Sequence, residues 1–167
     1  MKYLALLLVA GCATQQMSDW ERSNIEARPA EESLVLPPYP APGKLVAFSV
    51  ADSGGFRFFI DAATLSVGSD GVVRYVMLAR SPDGAHNVTF EGMRCAAGEY
   101  RIYALGRADG TWMESRSAWR PLRGAAPRQA ALYREYFCPQ AQPIRDAAEG
   151  VRALQDGGHP FAKGFGR

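Results

Sequence analysis

The sequence predicts an α+β fold: an antiparallel β-meander of about five to six strands, packed by one or two C-terminal helices and preceded by a disordered tether. Apolar residues alternate or form short runs from about residue 44 to residue 106, and turn-forming residues separate these stretches. Apolar residues at helical spacing appear only after Pro127. The predicted boundaries are 1–11 for a signal peptide, 12–43 for the tether, 44–139 for a β-rich domain and 140–167 for a C-terminal helix and tail.

The N-terminus has the pattern of a bacterial lipoprotein signal. Lys2 precedes an apolar run of about eight residues, far short of the ~20 residues needed to cross a bilayer. The small residues Ala10 and Gly11 lead directly to Cys12, where such signals are cleaved and a diacylglycerol is attached to the thiol. We predict lipidation of Cys12 and a membrane anchor; a simple cleaved signal is the alternative. Ala13, rather than Asp, after the cysteine favours the outer membrane, with the domain in the periplasm or at the cell surface.

The predicted tether, residues 12–43, has few large apolar residues and ends in the proline-rich sequence LPPYPAPG at 36–43. Prolines at this density favour an extended, semi-rigid polyproline conformation. The segment is therefore expected to be a spacer between the membrane and the domain. Proline-rich segments also bind aromatic grooves, and that alternative stays open.

Five stretches have the spacing of β-strands, and turn residues such as SDG at 69–71 and PDG at 82–84 separate them. Val88 and Phe90 share one face of the fourth stretch, whereas Asn87, Thr89 and Glu91 share the other. This alternation predicts a sheet with one face in water. The sequence WRPL at 119–122 has the pattern of an edge strand. The five stretches are 45–50, 56–60, 72–80, 87–95 and 99–106.

Two helices are predicted near the C-terminus. The first begins near Pro127 and ends before Pro139, and the second spans about 143–155. The tail from residue 159 onward is expected to be frayed.

Cys95 and Cys138 are the only thiols left once Cys12 is acylated. In an exported protein such a pair predicts one disulfide. A metal site at these cysteines would need further ligands at close spacing, and the sequence has neither a CxxC motif nor a nearby histidine. We therefore predict a disulfide and no metal site.

Composition excludes several function classes. The 167-residue chain has a formal net charge of +2 with intermixed acids and bases, so it lacks the basic stripe that nucleic-acid binding requires. Its two histidines, His86 and His159, are expected at the surface, and no nucleophile elbow, phosphate loop or HExxH motif occurs. Asp61 and Glu91 would be the acids of a glycosidase, a pairing that no motif supports. We predict no catalytic residues and no cofactor.

Aromatic and arginine residues between positions 101 and 119 are the best indication of a binding site. Aromatic side chains with a polar group are typical anchors of protein-binding surfaces. Packing of the same residues in the core is the alternative. The candidate binding surface consists of Arg101, Tyr103, Arg107, Trp112 and Trp119.

Seven short motifs between residues 36 and 139 together resemble the CNP1-like family of bacterial lipoproteins. That family is functionally uncharacterised, so the resemblance implies an envelope lipoprotein without a particular mechanism. More remotely, the order of the motifs is similar to the surface adhesin E family, which implies a small lipoprotein with a β-sheet and a link between two cysteines that binds host extracellular proteins. The motifs are FFID at 58–61, LSVG at 65–68, DGVVRY at 70–75, GMRC at 92–95, GRADGTW at 106–112, WRPL at 119–122 and LYREYFCP at 132–139.

These features predict a non-enzymatic lipoprotein of the cell envelope that acts as a binding or structural module. Its expected partners are the membrane, through the N-terminal lipid, and an envelope or extracellular protein or polymer. Two alternatives stay open: an envelope hydrolase, and an accessory subunit of an envelope complex.

We predict that mass spectrometry of the mature protein will find a diacylglycerol on an N-terminal Cys12. The variant Cys12→Ser should stay unprocessed, because the cleavage reaction requires the lipidated thiol. A processed Cys12→Ser protein, or a mature N-terminus at another residue, would contradict the lipid anchor.

Overall fold

A computed structural model of the chain describes residues 30–51 and 53–162. Within them an eight-stranded sheet forms, in which every pairing is antiparallel and the main order is β1-β2-β4-β5-β6-β7. β3 pairs with the beginning of β4, and β8 with the beginning of β6. The strands are β1 (Leu45–Phe48), β2 (Arg57–Asp61), β3 (Ser66–Val67), β4 (Val72–Arg80), β5 (His86–Arg94), β6 (Glu99–Gly106), β7 (Trp112–Glu114) and β8 (Arg120–Pro121).

Two helical regions follow the sheet, so the predicted α+β meander is confirmed. Helix α1 (Pro127–Ala131) continues directly into a π-helical turn, Leu132–Phe137, and helix α2 spans Ala147–Gln155. Helix α2 begins later than predicted because the Asp146 carboxylate caps it by accepting the Glu149 N–H at 2.8 Å. No helix in the described ranges is long and apolar enough to cross a membrane.

Strand β4 is buried on both faces, since its residues 72–79 are all buried. The side packed against α1, the π-helical turn and α2 is called the helix face here. The other side is called the strap face. On the helix face Val73, Tyr75 and Met77 pack with residues of the C-terminal region, and on the strap face Val76 and Leu78 pack with a second cluster.

The prediction of one sheet face in water is wrong. Of the three residues expected there, only Asn87 is exposed, whereas Thr89 is 8% exposed and Glu91 is fully buried. The C-terminal helical region covers them and supplies the Gln129 amide as a hydrogen-bond donor to Glu91.

The predicted tether also differs from the structure in its second half. Residues 31–39, which we call the strap, lie against the strap face, where Leu36 and Tyr39 pack on the apolar cluster that contains Val88 and Phe90. A short 3₁₀ turn, Pro42–Lys44, then leads into β1. The strap is ordered because a few of its side chains have specific partners on the sheet, although its composition is poor in apolar residues. The remaining part of the predicted tether, 12–29, and the lipidation site Cys12 lie outside the described residues.

The structure also corrects the prediction for His159, which was expected at the surface in a frayed tail. It is 2% exposed, its N–H donates to the Glu135 carbonyl oxygen at 2.6 Å, and its Nε2 lies 3.3 Å from Glu149 Oε1. The chain after α2 therefore folds back onto the helical region up to this residue.

A disulfide joins Cys95 and Cys138, as the sequence predicts, with Cα atoms 5.2 Å apart. Cys95 directly follows β5, and Cys138 directly follows the π-helical turn. The bridge spans a sequence separation of 43 residues and fixes the helical cover to the sheet.

We predict that the double variant Cys95→Ala/Cys138→Ala lowers the free energy of unfolding by about 2–5 kcal/mol, because the unfolded chain regains the entropy that the cross-link removed. Denaturant titration of the mature protein, with Cys12→Ser as the common background, measures the change. Equal midpoints for the bridged and unbridged proteins would contradict this role.

Candidate functional site

Four side chains surround the carboxylate of Glu31, the first residue of the strap. The Tyr103 hydroxyl donates to Oε1 at 2.5 Å. Oε2 accepts from the Arg101 guanidinium at 3.2 Å and from the Trp119 indole N–H at 3.1 Å. The Arg94 guanidinium lies 3.6 Å from the same oxygen. We call these four residues the carboxylate clamp.

The clamp residues also contact one another. The Arg94 guanidinium lies 4.0 Å from the centre of the Trp119 ring, and the Arg101 guanidinium lies 5.3 Å from the centre of the Tyr103 ring. The Tyr103 and Trp119 rings meet edge to face with centroids 6.2 Å apart. Cations over aromatic faces contribute roughly 0.5–1 kcal/mol each at exposed sites. These contacts join the clamp residues to one another without involving Glu31, and they support the orientation of the hydrogen-bond donors.

The electrostatics of the clamp favour an ionised ligand. Burial would raise the pKa of Glu31, but hydrogen bonds from Tyr103 and Trp119 and the charges of Arg101 and Arg94 outweigh it, so this pKa lies below its ordinary value of 4.5. Burial, together with the hydrogen bond to Glu31, raises the pKa of Tyr103. Tyr103 therefore stays protonated and able to donate.

A β-bulge and a glycine position Tyr103. The pairing of β5 with β6 shifts between Phe90 and Glu91, so that Phe90 opposes Ala104 while Glu91 opposes Ile102. Tyr103 is the extra residue, and it joins Ala104 in the strap-face cluster instead of pointing away from it. Gly92 leaves room for the ring, since a Cβ there would lie 2.6 Å from Tyr103 Cε2.

The rest of the strap binds at the edge of the sheet. The Trp112 indole N–H donates to the Pro37 carbonyl oxygen at 2.8 Å, and the Tyr39 and Trp112 rings lie 5.2 Å apart. The Tyr39 hydroxyl donates to the Arg107 carbonyl oxygen at 3.1 Å. A Cβ on Gly106 would lie 2.9 Å from Tyr39 Cε2, so the absence of a side chain there allows the ring to approach the backbone.

The second acid of the strap has different partners. Glu32 Oε1 accepts from the Ser69 N–H at 2.6 Å, and the Glu32 N–H donates to Asp70 Oδ2 at 3.0 Å. Asp70 in turn pairs with Arg74 at 2.5 Å. Glu32 therefore adds a contact at the turn before β4 and takes no part in the clamp.

The structure brings together three of the predicted surface residues, Arg101, Tyr103 and Trp119, and all three bind Glu31. Trp112 contacts the other end of the strap, and Arg107 supplies only its carbonyl oxygen there, with an exposed side chain. The surface is thus in contact with a segment of its own chain. Its use for an external partner stays a prediction.

Sequence reasoning missed Arg94 and Glu31. The period-two pattern of β5 contained a signal for Arg94, because Phe90, Gly92 and Arg94 lie on the same face of an extended strand. Glu31 had only a weak signal in the sequence, as one of two adjacent acids at the beginning of the strap.

The residues considered for catalysis have separate partners in the structure. Asp61 Oδ1 accepts the Ala63 N–H at 3.0 Å, and His86 Nε2 accepts the Arg80 Nε–H at 3.0 Å. Glu91 is buried under α1. Among the described residues, these three side chains share no hydrogen bond or ion pair.

Glu91 is the centre of a buried polar cluster on the helix face. It accepts from the Tyr75 hydroxyl at 3.1 Å, from the Thr89 hydroxyl at 2.8 Å and from the Gln129 amide at 3.2 Å. Burial raises the pKa of Glu91 above 4.5, and these hydrogen bonds with the charge of Arg128 only partly offset it.

A sequence profile of the CNP1-like family matches residues 25–155. The chain belongs to the CNP1-like family. The matched region includes the strap, the clamp and the eight described strands. Cryptic neisserial protein 1 of Neisseria gonorrhoeae is 26% identical over 133 residues, which cover 68% of this chain and 65% of that protein. This member of the CNP1-like family thus spans about 65% of the length of that relative. No solved structure matches the chain.

We predict that Glu31→Gln lowers the free energy of unfolding by about 1–2 kcal/mol at neutral pH, because charge-assisted hydrogen bonds are replaced by weaker neutral ones. The folded-state pKa of Glu31 is lowered, so its contribution is complete above the unfolded pKa of about 4.5 and is lost as the pH falls through the folded value. Denaturant titrations from pH 3 to pH 7 measure the free energy of unfolding of the variant and the wild type. Glu114→Gln, which changes an exposed acid, is the control. An equal loss of free energy of unfolding in both variants, or a loss in Glu31→Gln that does not decrease at acidic pH, would count against the clamp.

The opposite pH dependence is predicted for Glu91. Its folded-state pKa is raised, so the folded protein binds more protons than the unfolded chain above pH 4.5, and the free energy of unfolding falls as the pH rises through this window. Glu91→Gln removes the titrating group and should flatten this part of the profile. Parallel profiles for the wild type and Glu91→Gln would show that the buried carboxyl does not titrate in this way.

Proposed function

We propose that this protein is a lipoprotein of the cell envelope, anchored through Cys12, whose β-domain binds a partner without a chemical step. The anchor rests on the signal sequence and the cysteine that follows it, and Ala13 favours the outer membrane. The binding role is supported above all by the carboxylate clamp, in which stacked guanidinium and aromatic groups direct their donors at a single carboxylate.

The contacts of the strap define the chemistry of the proposed partner. The clamp accepts an ionised carboxylate, the Trp112 indole donates to a backbone carbonyl oxygen, and the gap beside Gly106 accommodates an aromatic ring. An extended protein segment with an acidic residue followed by proline and an aromatic residue makes all three contacts. We propose that such a segment, from another protein or a second copy of this chain, binds in exchange for the strap.

Exchange is feasible because the strap is attached by side-chain contacts and adds no strand to the sheet. The described part of the strap has no backbone pairing with β5 or β6. Val35 is 82% exposed and Leu34 is 41% exposed, so part of the strap makes little contact with the domain.

The test uses a fluorescent peptide that copies residues 30–41, added to the mature protein in a Cys12→Ser background. Glu31→Gln weakens the strap's own contact, so the peptide should bind this variant at least about tenfold more tightly than the wild type, which corresponds to about 1.4 kcal/mol. Adding Arg101→Gln to Glu31→Gln should remove that gain. Fluorescence polarisation measures each dissociation constant.

Glu32→Gln is the matched control, because Glu32 is the adjacent acid and contacts Ser69 instead of the clamp. It should bind the peptide as the wild type does. Absence of binding to Glu31→Gln, or equal binding to both variants, would overturn the proposed recognition of an acidic segment.

A further inference from the structure

A cavity of about 290 Å³ lies on the helix face of the sheet. Most of its wall is apolar, formed by Val50, Phe56, Phe58, Met77, Ala79 and Pro127. Small-molecule sites usually measure about 300–1,000 Å³, so this cavity suits a compact ligand. Strands β2 and β4 form one side, and the beginning of α1 forms another.

One cation lines this apolar wall. Arg128 borders the cavity, and its Nε is buried without a hydrogen-bond partner. Within residues 30–51 and 53–162, the Arg128 guanidinium forms neither a hydrogen bond nor an ion pair. A buried donor without an acceptor costs about 1–3 kcal/mol, and more for a charged group. Arg101 on the strap face also has a buried Nε without a partner, but its guanidinium pairs with Glu31. Among the described residues Arg128 has no ion pair, so it gains more from an anionic ligand.

The neighbouring carboxyl of Glu91 does not serve as the ion-pair partner of Arg128. Thr89 lines the cavity, and its hydroxyl donates to Glu91 Oε1 at 2.8 Å. The carboxyl of Glu91 is occupied by Tyr75, Thr89 and Gln129, and no ion pair joins it to Arg128 in the part of the chain that the structure describes. Glu91 thus acts on Arg128 only through longer-range attraction.

Exposed apolar side chains border the same region. Thr89 pairs across the sheet with Leu105, which pairs with Met113, and directly opposed residues share a face. Leu105 is 37% exposed and Met113 43% exposed, while Phe56 at the cavity wall is 38% exposed. An apolar ligand that extends from the cavity meets further apolar surface.

We propose that this cavity binds a small amphipathic carboxylate, with its apolar body against Met77 and Ala79 and its carboxylate on the Arg128 guanidinium. The proposal is independent of the clamp, because the two sites lie on opposite faces of the sheet and share no residue.

Isothermal titration of the mature Cys12→Ser protein with octanoate and with 1-octanol tests this proposal. Octanoate should bind at least tenfold more tightly than 1-octanol, and Arg128→Gln should reduce octanoate affinity to the level of 1-octanol. Arg134→Gln is the matched control, since Arg134 is an exposed arginine of the adjoining π-helical turn and does not line the cavity. It should leave both affinities unchanged.

Two further variants locate the probe. Ala79→Leu fills the cavity and should weaken octanoate and 1-octanol alike by at least tenfold. A cooperative thermal unfolding transition in both Ala79→Leu and Arg128→Gln is the check that these variants are folded. Arg101→Gln disrupts the clamp and should leave octanoate binding intact. Absence of octanoate binding, equal affinity for the two probes, equal loss in Arg134→Gln, or loss in Arg101→Gln would each overturn the proposal.

Discussion

Both faces of strand β4 must be shielded from water, and much of the remaining structure follows from the need to cover these two faces. Its residues 72–79 are buried, and burial of each large aliphatic or aromatic side chain contributes roughly 1.5–3 kcal/mol. A two-sided apolar strand therefore requires two covers in a single small domain. The helical region after residue 127 covers one face, and the strap covers the other.

Different chemistry attaches the two covers. The disulfide between Cys95 and Cys138 holds the helical cover covalently, and in an oxidising compartment that link is permanent. The strap is held by the clamp and by Trp112, through contacts that form and break reversibly. Release of the strap would free about nine residues and extend the connection to the N-terminus by up to about 30 Å. The reversible cover is thus the part of the fold suited to exchange, and it precedes the domain on the side of the proposed lipid anchor.

The long strands were predictable because their own sequence determines them. β4, β5 and β6 each have eight or nine residues with a clear apolar pattern and flanking turn residues, and their boundaries agree with the structure to within one residue. β3, β7 and β8 have only two or three residues and show no period. The burial of Thr89 and Glu91 was not predictable from alternation, because the side chains that donate hydrogen bonds to Glu91, Tyr75 and Gln129, come from elsewhere in the chain.

The clamp shows the same limit at the candidate site. Tyr103 and Trp119 were recognisable as residue types suited to binding, but their common partner Glu31 is 72 and 88 residues away in sequence. The bulge that turns Tyr103 toward it is invisible in a pattern of period two. The strap itself has the composition of a linker, because a few specific side-chain contacts order it without a run of apolar residues.

Hydrogen exchange of the Trp112 and Trp119 indole N–H groups tests the central claim most directly, because each donates to a different end of the strap. In NMR spectra of the wild-type protein recorded in D₂O, both indole protons should exchange much more slowly than that of a free tryptophan side chain. Glu31→Gln should accelerate exchange of the Trp119 indole proton. Exchange of both indoles at the free rate in the wild type would contradict the account, since the strap would then not cover the sheet.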